Sequence, residues 1–213
     1  MRCFYDFLDF VGVQQPPSTC CQPVFRSTHL DWRPQSQYRL TEESKTRVQH
    51  YLSNEPCCQT DFGKLSEVDF VIAFSFGDGA QVNRSLAQVV RHIHATSPSK
   101  ALFIQQEIAV HISDISVASI DSEQYQTTFD VAKSAVDLAL GKRALVIAQS
   151  WHASRCIKTC QDLGLQVEAL RVVNEFPSND PQPWVRNPIN WVIKESHREV
   201  ATGYEISELY NLR

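Results

Sequence analysis

Five consecutive apolar residues, Phe70, Val71, Ile72, Ala73 and Phe74, follow Asp69 and lead into the turn Gly77-Asp78-Gly79. A run of this length with no polar alternation suits a strand buried on both faces. Immediately after the turn, Val82, Leu86, Val89, Val90 and Ile93 fall on one stripe of an amphipathic helix. A doubly covered strand, a glycine-bearing turn and a helix together form a βα unit. A sheet that must be covered on both faces needs helices to cover it, and this constrains the fold more than any other feature of the chain.

The pattern repeats. Ala101, Leu102, Phe103 and Ile104 form a second candidate strand, 117–120 a weaker third, 144–148 a strong fourth and 166–172 a fifth. Phe129, Ala132, Val136, Ala139 and Leu140 mark a helix before the fourth strand, ended by Gly141. Ala153, Cys156, Ile157, Cys160 and Leu163 mark another after it, ended by Gly164. The expected architecture is three-layer α/β: a doubly wound, mostly parallel sheet of about five strands with helices on both faces. At its N-terminal side, 1–34 carries Gln15-Pro16-Pro17 and no sustained period, and reads as an irregular arm. The remainder, 35–213, reads as a single domain. Within it Thr41 caps a polar helix over 41–52, with Glu42 and Glu43 in the first turn, and one or two helices close the chain after Pro188.

Charge excludes some functions. Twenty basic residues stand against 24 acidic ones with no Lys/Arg block, so no nucleic-acid partner is expected. Asp6 and Asp9 interrupt the apolar start, which argues against a signal peptide, and no stretch reaches the ~20 apolar residues of a membrane span. The expected setting is cytoplasmic, with the oligomeric state left open. Seven cysteines without a C-x-x-C spacing read as reduced thiols. Cys156 and Cys160, at i and i+4 on an apolar stripe, read as core side chains.

In an open α/β sheet, ligands settle beyond the carboxyl ends of the strands, where strand order reverses. That places the loops after the first and fourth candidate strands side by side. The first offers Ser75, Phe76, Gly77, Asp78 and Gly79, with Asn83 and Arg84 in the opening turns of its helix; the second offers Gln149, Ser150, Trp151 and His152, with Arg155 one turn in. Helix N-termini present free N–H groups and partial positive charge, and Arg forks match oxyanions, so the convergence suits a phosphate or carboxylate. A simpler account stands beside it: the glycines only close a turn, Ser150 only caps a helix, and Arg155 pairs with a surface acid.

Taken in order, these motifs resemble the YdcF/SanA/ElyC family over 69–210. They are Gly77 and Gly79 in the turn, Arg84 near Ala87, Thr128 with Ala132, Ser150 with His152 and Arg155, then Gly164 and Arg198-Glu199. Asp78 stands where glycine is usual, Gln105-Gln106-Glu107 replaces a Ser-Gly-Gly, and Cys156 replaces an alanine. The resemblance implies a Rossmann-like sheet and a small-molecule pocket at Gly77, Asp78, Gly79, Arg84, Thr128, Ser150, Trp151 and Arg155. The family includes a member that binds S-adenosylmethionine.

Three functions follow as expectations. The first is a binder of a nucleotide-like or other anionic small molecule, S-adenosylmethionine included. It extends to phosphoester or pyrophosphate hydrolysis with His152 as acid or base, and to Mg²⁺ held by Asp78 with Glu107 or Glu123. The second is a non-catalytic module that senses a metabolite, with Trp151 stacked on its ring. The third is a serine hydrolase: Ala73-x-Ser75-x-Gly77 resembles a nucleophile elbow, with His152 as base and Asp114 or Asp121 as orienter. A dinucleotide dehydrogenase is weaker, because Gly77-x-Gly79-x-x-Val82 lacks the third small residue.

Overall fold

The computed structural model describes residues 4–14, 37–120 and 126–213. In chain order they form α1 (Phe4–Val11), α2 (Glu42–Asn54), β1 (Phe70–Ala73), α3 (Ala80–Thr96), β2 (Ala101–Ile104), the single turn α4 (Gln106–Ala109), α5 (Thr128–Asp137), β3 (Arg143–Gln149), α6 (Ala153–Asp162), β4 (Gln166–Val173), α7 (Pro188–His197) and α8 (Gly203–Leu209). The chain divides into two compact units, one of Gln59–Glu175 and one of Met1–Cys58 with Phe176–Arg213.

The first unit is an α/β fold built on a four-stranded, all-parallel sheet of order β2-β1-β3-β4, with helices interleaved between the strands. The candidates at 70–74, 101–104, 144–148 and 166–172 are the four strands. The third candidate, 117–120, is not a strand: Ala118 makes one isolated bridge to Phe103. Its N–H donates to Leu102 O and its carbonyl accepts from Ile104 N–H, at 2.9 and 2.8 Å. Serines at 116 and 119 leave that segment too little apolar surface to hold a longer ladder.

On one sheet face Phe70, Ile72, Phe74, Phe103, Ala144, Val146 and Ala148 pack with Val131, Ala132 and Ala135 of α5 and with Ala153, Cys156 and Cys160 of α6. Each fully buried Val, Ile or Phe contributes ~1.5–3 kcal/mol of transfer free energy. Cys156 and Cys160 are buried inside this cluster, and burial pushes the Cys160 thiol up to about 12, which makes it a small apolar side chain in practice. Val82, Leu86 and Val90 of α3 are buried outside that cluster, and α3 packs on β3 and β4. The stripe expected on α5 is displaced. The helix ends at Asp137, Phe129 is exposed, and Ala139 takes a φ of 52° before Gly141.

At the N-terminal edge of the sheet, Asp69 ties β1 to β3. One carboxylate oxygen accepts the Lys142 and Arg143 N–H groups at 3.1 and 2.9 Å, and the other takes the Arg143 guanidinium at 2.6 and 3.1 Å. The Arg143 guanidinium and N–H hold the carboxyl well below the usual range. Gly141, at φ 137°, lets the chain pass: a Cβ there would lie 2.4 Å from Asp69 Cβ.

In the second unit the start of the chain is helical, contrary to the expected irregular arm. Phe4, Phe7, Leu8 and Val11, spaced three, one and three apart, are all buried on α1. Asp6 and Asp9 lie off that stripe, so they break an apolar run without breaking a helix. The proline-rich part of that arm, from Gln15 on, lies outside the described residues. Thr41 caps α2 as expected, accepting from Ser44 N–H at 3.2 Å. The two closing helices are α7, capped by Asn187 with Pro188 at its first turn, and α8, begun by a Thr202–Glu205 capping box. Long-range hydrogen bonds join them to the early chain: Tyr38 donates to Asn190 Oδ1 at 2.9 Å and Ser44 to the Tyr210 hydroxyl at 3.2 Å. Cys58 is disulfide-bonded, which corrects the expectation of reduced thiols throughout, while Cys57 is buried. Among the described residues no helix is long and apolar enough to cross a membrane.

Candidate functional site

The chain leaves β1 for β2 on one side of it, while β3 lies on the other side and leads on to β4. The loops leaving β1 and β3 therefore start from neighbouring strands and part in opposite directions, the arrangement that opens a crevice at the carboxyl edge of a parallel sheet.

The β1 loop is shaped by two buried amides. Gly77 takes a φ of 75°, and Gly79 stands at the cap position of α3. Asn83, fully buried in α3, accepts from Phe76 N–H at 3.1 Å and donates to the Gly77 and Gly79 carbonyls at 3.0 Å each. Gln105 Oε1 accepts the Ser75 N–H at 2.9 Å, and the Gln105 N–H donates to Ala73 O. Asp78 and Arg84 are exposed beside this frame. Burial raises the Glu107 carboxyl above its ordinary range and the charge of Asp78 adds to the rise, with the Ser75 hydroxyl and the Gln105 amide opposing it.

A third amide shapes the β3 loop. Gln149 Oε1 accepts the Trp151 and His152 N–H groups at 2.7 and 3.3 Å, and its Nε2 donates to Glu175 O. This sets His152 at the cap position of α6, where no side chain caps the helix. Ser150 therefore does not cap. Its hydroxyl is buried, 1% exposed as a residue, and makes no hydrogen bond among the described residues. Trp151 is 2% exposed, so the ring expected to stack on a ligand is packed in the protein interior.

Three of the expected residues meet. Thr128 Oγ1 lies 3.1 Å and the Arg155 guanidinium 2.8 Å from His152 Nε2. A guanidinium only donates, so Nε2 accepts, and the imidazole is neutral with its hydrogen on Nδ1. Phe74 and Phe76 flank the ring at centroid distances of 6.4 and 6.1 Å, and His152 is 4% exposed. Thr128 opens α5 and Arg155 lies in the first turn of α6, both half-buried. The starts of two ten-residue helices thus converge here, each with N–H groups that its own helix cannot satisfy. An oxyanion placed beside Arg155 meets a fixed fork and the uncapped positive end of α6, while the start of α5 is closed by a Thr127–Asp130 capping box.

Other expected residues are engaged elsewhere. Asp114 takes the Arg91 guanidinium at 2.8 and 3.2 Å, and Asp121 and Glu123 lie outside the described residues. Asp78 is near enough to Glu107 to bias its titration, yet among the described residues no group of three or more His, Cys, Asp or Glu side chains could hold a metal ion. Asn83 and Gln149 belong to the two loops expected from the sequence, but their framework role, like that of Gln105, is not legible there; the available signal is an amide side chain at a strand end or one turn into a helix. No family model, curated protein or solved structure matches the chain.

Proposed function

We propose that this chain is a YdcF-like, Rossmann-like α/β protein, its sheet doubly wound with helices on both faces, that binds an anionic small molecule at the carboxyl edge between the β1 and β3 loops. The observation that carries the reading is the hydrogen-bonded group of Thr128, His152 and Arg155 where α5 and α6 begin. Arg155 is the anion fork, Thr128 a hydrogen-bond donor, and His152 the hinge that orients both. Arg84, exposed on the β1 side, adds positive charge at the rim. Nucleotides, S-adenosylmethionine and phosphate esters are the ligand classes to test.

Within that reading, binding without turnover is favoured over phosphoester or pyrophosphate hydrolysis. Nε2 of His152 already accepts from Arg155, which makes the imidazole a positioning group before it is an acid or base. Chromatography of recovered ligand separates the two: a binding module returns it unchanged. The serine-hydrolase alternative loses one orienter, because Asp114 is committed to Arg91.

The test is a thermal-shift series with those ligands on the full chain, with Arg155→Ala and Thr128→Val alongside. A ligand at ~100 times its Kd raises stability by about 2.7 kcal/mol. The expected result is a shift in the wild type that Arg155→Ala abolishes and Thr128→Val reduces. A shift of wild-type size in Arg155→Ala would move the ligand elsewhere, and no shift with any anion would end the proposal.

A further inference from the structure

Two buried polar groups beside this site are left without hydrogen bonds. Among the described residues Ser150 Oγ and Gln126 Oε1 make none, in residues 1% and 8% exposed. Buried polar atoms are satisfied in the great majority of cases, and an orphan calls for a specific explanation such as a missing ligand or water. Both lie two residues from the described contact: Ser150 from His152 and Gln126 from Thr128. Two residues span at most about 7 Å, so both orphans belong to the neighbourhood of the anion fork.

Their chemistries differ. A serine hydroxyl can donate to an oxyanion, but an amide oxygen only accepts, so a phosphate or carboxylate oxygen cannot satisfy it. Whatever reaches Gln126 Oε1 must carry a donor of its own. An ammonium donor is disfavoured, since it would be buried beside the Arg155 guanidinium and the uncapped positive end of α6. A hydroxyl is a neutral donor and meets no such repulsion.

Building on the anion-binding reading, we propose that the ligand is a hydroxylated phosphate ester of the sugar-phosphate class. Arg155 and Ser150 hold its phosphate oxygens, and Gln126 Oε1 accepts a hydrogen bond from one of its hydroxyls. Ser150 and Gln126 are the residues that separate such a ligand from a plain phosphate monoester.

Calorimetric titration of the full chain with ribose 5-phosphate, methyl phosphate and O-phosphoethanolamine tests this. The three share the phosphate monoester and differ in carrying hydroxyls, no donor, or an ammonium. Ribose 5-phosphate should bind at least about tenfold tighter than methyl phosphate, the margin a well-placed polar contact supplies. Gln126→Leu should bring ribose 5-phosphate down to the methyl phosphate level, and Ser150→Ala should weaken both. Neither substitution should lower the unliganded melting temperature, because each removes an unsatisfied buried group; a structural role would lower it. Equal binding of ribose 5-phosphate and methyl phosphate, a preference that survives Gln126→Leu, or tighter binding of O-phosphoethanolamine would overturn this inference and leave the anion fork standing. Failure of all three esters to bind would overturn both.

Discussion

The two edges of the sheet are built on opposite principles. At the N-terminal edge one carboxylate, Asp69, satisfies two backbone N–H groups and a guanidinium, and Gly141 lets the chain pass against it. At the carboxyl edge Ser150 Oγ, Gln126 Oε1 and Glu107 Oε2 are buried with no hydrogen-bond partner among the described residues. The first edge is satisfied because nothing else is asked of it. The second holds polar groups in a state that folding alone does not favour.

The strongest way to break this contrast is at Gly141. Gly141→Ala puts a Cβ into Asp69 at a left-handed φ, and should destabilise the chain by about 1–3 kcal/mol in chemical denaturation. Asp69→Ala should also destabilise, by removing every acceptor of that junction. If either leaves the denaturation midpoint unchanged, the N-terminal edge is not the structural one.

A subtler distinction appears with pH. The Asp69 carboxyl is held below its unfolded value of ~3.9, so its stabilisation is complete above that pH and is lost as pH falls towards the folded value. The stability gap between wild type and Asp69→Asn should therefore narrow below pH ~4. Glu107 has the opposite sign. Burial raises its pKa, so its contribution is complete below its unfolded value of ~4.3 and declines as pH rises through the folded one. Glu107→Gln should match the wild type at low pH and exceed it slightly at neutral pH in melting temperature. A Glu107→Gln chain less stable than wild type at pH 7 would show that the carboxylate is already well served, and the contrast between the edges would weaken.

The same division governs what could be read from the sequence. β1, β2 and the centre of β3 were legible because each is an unbroken apolar run, β4 because Val167, Ala169, Leu170, Val172 and Val173 outweigh its polar positions, and α3 and α6 because their buried residues keep a helical period. His152 and Arg155 were legible as residues of the loop leaving β3, but Thr128 entered only through the family resemblance, because it opens a helix outside the two loops placed side by side. Burial patterns reach as far as those two loops. They do not reach Gln105, whose bond to Ser75 spans 30 positions, or Gln149, whose side chain shapes a loop from within a strand, because a single amide has no period. The helix α1 was missed for a different reason: two acidic residues hid a regular stripe from a reading that looked for continuous apolar runs.

The short bridges flanking the sheet also bear on how the chain behaves at high concentration. Outer strands of a parallel sheet offer rows of N–H and C=O groups that template the addition of foreign strands, the first step of edge-to-edge aggregation. Here Phe62 exchanges both backbone bonds with Leu170, Asp61 accepts the Val172 N–H, and Arg171 binds the Phe62 and Gly63 carbonyls along β4. Ala118 does the same for β2 between Leu102 and Ile104. A strand arriving from another molecule finds the middle of each border already bonded, with a charged side chain along one of them, so the sheet stops at four strands.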